Sequence, residues 1–134
     1  MTIIEELKAE HELLGNALKE VKEKGISSKE GLDKLMSIKD VLLAHIAKED
    51  KHIYPVLNEK AKTDDTLRSM LGTFDSNMKN VADTALKFFD KYSKVSADPV
   101  EFGKDFGFLS WALGIRIRQE ESILYSEFEK IQQS

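Results

Sequence analysis

The chain has 134 residues, a length that fits one domain with one buried core. Its 41% hydrophobic and 33% charged residues exclude a disordered chain, and no apolar run approaches the ~18–20 residues needed to span a bilayer. There is no cysteine, which excludes disulfides, thiolate zinc sites and cysteine nucleophiles, and the net charge of −4 argues against nucleic acid as the main partner. Glu5 and Glu6 stand where a secretory signal would carry cations, so a cytoplasmic protein without a membrane segment is expected.

Apolar residues recur at helical spacing in four long segments. The first runs from about Thr2 to Lys24 with Ile4, Leu7, His11, Leu14, Leu18 and Val21 on one stripe, and Gly25 stops it. Ser27 and Ser28 offer a cap for the second, from about Gly31 to Lys60, whose stripe is Leu35, Ile38, Leu42, His45, Glu49, His52 or Ile53, and Val56. Pro55 should kink this helix or start a new one. The third segment, from about Asp65 to Tyr92, turns Leu67, Leu71, Phe74, Met78, Val81, Ala85 and Phe88 inward. A loop over Ser93 to Asp98 follows, and Asp98-Pro99 supplies an N-cap and a first-turn proline for the fourth, which reaches about Ile131. Phe88, Phe89, Phe106, Phe108 and Trp111 are expected in the core. The glycines of Phe102–Gly107 follow no strand and do not make a phosphate loop. Strand signals are absent, and four helices on short loops predict an all-α, antiparallel up-down-up-down bundle.

The second and fourth segments match each other at an offset of 71: Ile46 with Ile117, Glu49 with Glu120, Asp50 with Glu121 and Tyr54 with Tyr125. The first and third align more weakly at an offset of 67, which sets His11 against Met78. The bundle reads as two related helix hairpins.

The core stripes carry groups that are expensive to bury. An ionised carboxylate costs several kcal/mol to desolvate unless it is paired or bound to a cation. His11, His45, Glu49 and Glu120 all fall where a leucine belongs, and His45 and Glu49, four apart, stack on one helix face. One core histidine would be an ordinary satisfied polar group. Four polar core positions on three helices point to a bundle metal site.

These residues carry a specific resemblance. His11 in Ala9-Glu10-His11-Glu12, His45-x-x-x-Glu49 followed by Tyr54-Pro55, and Glu120 in Arg116-x-x-x-Glu120 resemble the hemerythrin-like, HHE cation-binding family over nearly the whole chain. The resemblance implies a four-helix bundle holding iron, with a diatomic gas, oxygen or nitric oxide, as ligand. The chain departs from the pattern in its second hairpin. The third-helix histidine is replaced by Met78, or by Asn77 if the register slips by one, and the fourth-helix histidine by Arg116. A guanidinium cannot ligate a metal. The expectation is at most one ion, held by His11, His45, Glu49 and Glu120, with zinc or manganese able to replace iron. The alternative is a metal-free scaffold in which Arg116 pairs with Glu120 and Glu49; a third reading is an iron enzyme of oxidative or nitrosative stress. His52 is expected at the bundle end, half-exposed, with an extra ligand as the alternative. Glu121 is expected to face solvent, with replacement of Glu120 as the alternative.

Overall fold

The computed structural model describes residues 2–26, 28–93 and 98–133. Six α-helices form four rods: α1 (Ile3–Lys24), α2 and α3 (Lys29–Lys48 and Tyr54–Ala61), α4 (Asp65–Lys91), and α5 and α6 (Pro99–Gln119 and Tyr125–Gln133). No strand occurs among the described residues. Each rod packs on the next in chain order, and the fourth closes back onto the first. This is the antiparallel up-down-up-down bundle that the periodicity predicts.

Local chemistry starts and stops the helices as expected. Thr2, Ser28, Asp64 and Asp98 accept hydrogen bonds from the exposed first-turn amides of α1, α2, α4 and α5. Ser27 and the loop segment 94–97 lie outside the described residues. Gly25 ends α1 at φ 68°, a left-handed conformation that a side chain would strain. A Cβ on Gly31 would meet the Gly25 carbonyl oxygen at 1.9 Å, so the first connection closes only over a glycine.

The second and fourth rods are each interrupted by one π-helical turn, over Glu49–Ile53 and Glu120–Leu124. These turns occupy equivalent places at the offset of 71 that relates the two hairpins. They also explain the inner stripe. His45, Glu49, Ile53, Leu57 and Ala61 are all buried at a constant spacing of four, whereas an ideal α-helix drifts about 40° per such step. The extra residue in the π turn absorbs the drift. It settles the choice between His52 and Ile53, because Ile53 is fully buried and His52 exposed. It also corrects Val56, which is only half-buried while Leu57 takes the core position. Pro55 opens α3 directly after the turn, where its missing N–H costs nothing.

Two aromatic expectations are corrected. Trp111 and Phe108 are 62% and 57% exposed. The inner face of α5 is Phe102, Phe106, Leu109, Leu113 and Arg116, and positions 108 and 111 fall between these, on the outside. The two rings rest on each other instead. Phe88, Phe89 and Phe106 are buried as expected.

The hydrophobic core has two parts. One, at one end of the bundle, contains Leu14, Ile38, Phe88, Phe102 and Leu109. The other contains Leu7, Ile53, Leu71, Leu124 and Tyr125. Between them lies a buried polar layer of His11, His45, Glu49, Arg116 and Glu120, none more than 5% exposed.

Candidate metal centre

Four helical segments supply the histidines and carboxylates of this layer. α1 supplies His11, α2 supplies His45, and the two π turns begin with Glu49 and Glu120. His11 Nε2 lies 3.1 Å from His45 Nε2 and 2.8 Å from Glu120 Oε1. His45 Nε2 lies 3.3 Å from Glu120 Oε1 and 3.5 Å from Glu49 Oε2. The two histidines and Glu120 thus offer one ligand atom each within 4.8 Å of one another.

The far nitrogens set the tautomers. His11 Nδ1 is 2.7 Å from Glu121 Oε2, and His45 Nδ1 is 2.8 Å from Glu10 Oε1. An ionised carboxylate only accepts, so each Nδ1 carries a proton, and an Nε2 that carries none points a lone pair inward. Glu10 is itself bonded by Lys48. Burial works against its charge, but the hydrogen bonds with Lys48 and His45 outweigh burial and hold its carboxyl below the ordinary range.

The inward atoms are therefore nearly all acceptors, a combination that requires a cation. Burial alone would keep His45 neutral, yet its hydrogen bonds with Glu120 and Glu49 raise it to about 10, so with no other cation this point takes a proton. Glu120 resists its burial penalty and stays well below the usual carboxylate range, held there by His11, His45 and Arg116. Glu49 moves the other way, because burial dominates. Its Oε1 is buried without a hydrogen-bond partner.

A metal ion fits the donor set. Ligand atoms at bond lengths of ~2.0–2.1 Å around a tetrahedral ion stand about 3.3 Å apart, and the spacings among His11, His45 and Glu120 run from 2.8 to 3.3 Å. Two imidazoles and a carboxylate are the chemistry that a borderline divalent ion takes, and Glu49 brings a second carboxylate, one oxygen of it orphaned, beside His45. The imidazoles are already oriented by Glu10 and Glu121, as metal-bound histidines are.

The other half of the layer holds a cation of the chain itself. Arg116 donates from Nε to Glu120 Oε2 at 3.1 Å, from Nη2 to the Tyr54 hydroxyl at 2.8 Å and from Nη1 to the Phe74 carbonyl at 3.3 Å. Its guanidinium also lies 4.8 Å from the centre of the Phe74 ring. The pairing with Glu120 follows the expectation. The bridge to Glu49 does not form, because Glu49 Oε2 accepts from Tyr125 at 2.9 Å instead. Met78 is half-buried beside the layer while Asn77 is exposed, so the helix-three register places Met78 opposite the lost histidine.

His52 is exposed and contacts none of the inner atoms among the described residues. Glu121, expected in solvent, is only partly exposed and orients His11, because the π turn swings it back over α1. Sequence reasoning missed Glu10, Tyr54 and Tyr125 as members of the layer. The tyrosines left a signal, since they match at the offset of 71. Glu10 left none, because a glutamate beside a helix stripe reads as solvated.

A cavity of about 20 Å³ adjoins His11, His45 and Glu120 on the side away from Tyr125, with Leu14, Leu42, Val81, Ala82 and Leu113 on its apolar wall. No helix of the described residues is long and apolar enough to cross a membrane. Neither a search of curated proteins nor one of solved structures returned a match. The family model of the hemerythrin HHE cation binding domain matches residues 2–128. With this fold and this His/carboxylate cluster at its centre, the chain belongs to the hemerythrin HHE cation-binding family.

Proposed function

We propose that this protein binds a single metal ion, iron in the first place, through His11, His45, Glu49 and Glu120, and offers it to a diatomic gas. The observation that carries this reading is the convergence of His11 Nε2, His45 Nε2 and Glu120 Oε1 on one buried point, with Glu49 Oε2 3.5 Å from His45. Such a point is stable only around a cation. Zinc or manganese would satisfy the same donors. One ion is the limit because Arg116 fills the second half of the layer with a permanent positive charge.

The protein's own part is to bind and to exclude. Glu10 and Glu121 fix the two imidazoles, Glu120 ties the site to Arg116, and the two hydrophobic clusters keep water out. Bound iron with a free coordination position would supply affinity for oxygen or nitric oxide. The adjoining cavity, about 20 Å³, has room for one small molecule of that size. This favours binding or sensing of a gas over turnover of an organic substrate. The metal-free scaffold is the second reading, favoured by the Arg116–Glu120 pair.

Elemental analysis of protein purified without added iron tests the proposal. About one ion per chain is expected. Close to two ions would overturn the limit set by Arg116, and protein that takes up neither iron, zinc nor manganese would leave the scaffold reading. Titration of the ferrous protein with nitric oxide, followed by electron paramagnetic resonance, tests the gas: an unchanged spectrum would refute it.

A further inference from the structure

Tyr125 has no place in the set of two histidines and two carboxylates, yet it lies at its centre. The residue is fully buried at the start of α6. Its hydroxyl oxygen is 2.9 Å from Glu49 Oε2, 3.2 Å from Glu120 Oε1, 3.3 Å from His11 Nε2 and 3.4 Å from His45 Nε2. A phenol has one proton to donate. Glu49, the nearest, takes it. The same oxygen also faces His11 Nε2, His45 Nε2 and Glu120 Oε1, and the six separations among these four atoms run from 2.8 to 3.4 Å. Ligands of one tetrahedral ion at bonds of ~2.0–2.1 Å stand about 3.3 Å apart.

The duplicated hairpin gives an independent view of the same contact. Tyr54 is the equivalent of Tyr125 at the offset of 71. Its hydroxyl oxygen takes a hydrogen bond of 2.8 Å from the Arg116 guanidinium. In the half of the layer whose cation belongs to the chain, the tyrosine oxygen faces that cation directly. Glu120 lies between the halves, with Oε2 on Arg116 and Oε1 on the two histidines.

We infer that Tyr125 is a further metal ligand, binding as a phenolate, and that it fits the site to a ferric ion. The inference rests on the proposed metal site. On binding, the oxygen–metal bond replaces the O–H bond and the proton passes to solvent; no electron moves. A phenolate oxygen is a hard anionic donor, and a ferric ion is a harder acceptor than a ferrous one, which is what fits the site to the ferric state.

The chain has three tyrosines, Tyr54, Tyr92 and Tyr125, so the assignment can be exhaustive. The intact protein is loaded with ferric iron, and iron content, visible absorption and resonance Raman spectra are recorded. About one iron per chain with a phenolate-to-iron absorption band is expected. Tyr125→Phe should lose the band and bind ferric iron at least about tenfold more weakly, the lower end of what disturbing a ligand shell costs. Tyr92→Phe, in the distant core, should keep both. Should Tyr125→Phe fold poorly, resonance Raman of the unmutated protein carrying ring-deuterated tyrosine shows that a tyrosine binds the iron, and a band that persists in both Tyr54→Phe and Tyr92→Phe leaves Tyr125. Iron bound without the band, or a band that survives Tyr125→Phe and vanishes in Tyr54→Phe, would overturn the inference and leave the metal site intact. Protein that takes up no iron would overturn both, and the iron content separates the two failures.

Discussion

The two halves of the polar layer occupy equivalent places in a duplicated hairpin but carry different side chains where they face the carboxylates. In the first half the Nε2 atoms of His11 and His45 face Glu49, Glu120 and Tyr125, and the positive charge comes from a proton on His45 or, on the reading proposed above, from a bound ion. In the second half Met78 and Arg116 stand at the corresponding positions, and the guanidinium supplies the charge to Glu120, Tyr54 and the Phe74 carbonyl. The backbone around both is the same, with a π turn opening at each glutamate. A carboxylate buried in such a layer is costly unless a cation or hydrogen bonds face it, and in the second half one side chain, Arg116, supplies that charge.

The largest expected effect comes from deleting the built-in cation. Arg116→Ala should cost about 3–5 kcal/mol in metal-free protein, because it breaks a buried ion pair and leaves Glu120 Oε2 without its guanidinium. Arg118→Ala, on the exposed face, should cost about 0–0.5 kcal/mol. Urea midpoints compare the two, and equal small shifts would mean that the halves are not electrostatically alike. Added divalent metal should recover part of the Arg116→Ala loss by binding the freed carboxylates.

Next in size is the loss of the external cation. His11→Ala and His45→Ala should each lower metal content at least about tenfold, at or beyond the effect of disturbing an outer partner of a ligand. His52→Ala, which removes an exposed side chain, should leave it nearly unchanged. Equal loss from all three, by elemental analysis, would shift the site along the second rod.

Making the second half resemble the first gives a smaller change, at most a doubling. Met78→His with Arg116→His should raise iron from about one towards two per chain, since it puts imidazoles where α4 and α5 face the layer. Asn77→His with Arg116→His should not, because Asn77 points outward. The reverse outcome would move the register of α4 by one residue.

The smallest effect belongs to an exposed ionic cluster, and it calibrates the buried one. Tyr92 and Lys91 bond Asp105 at 2.5 and 2.9 Å, and hold its carboxyl below the ordinary value. A depressed folded value stabilises above the unfolded pKa of ~3.9 and is lost as pH falls below it. Asp105→Asn should therefore flatten the acid side of the stability profile slightly and leave neutral pH almost untouched, because exposed pairs are screened. A shift at neutral pH as large as that of Arg116→Ala would show that burial is not what makes the Arg116 pair costly to break.

The sequence by itself determined the helices, their caps, the antiparallel bundle and the inner positions of His11, His45, Glu49, Arg116 and Glu120. Helical periodicity and capping are local, and a polar residue on an apolar stripe is visible without a neighbour. The tertiary structure alone decided the rest. The π turns, which leave no local mark, put Ile53 rather than His52 inside and brought Glu121 back to His11. Trp111 and Phe108 read as core because aromatic residues favour burial, but the register of α5 against its neighbours left them outside. Glu10 and Tyr125 joined the site through contacts with residues 35 and 76 positions away. Such partners are set by how four rods pack, because a hydrogen bond across a bundle depends on the facing helix and not on the residue's own stretch of chain.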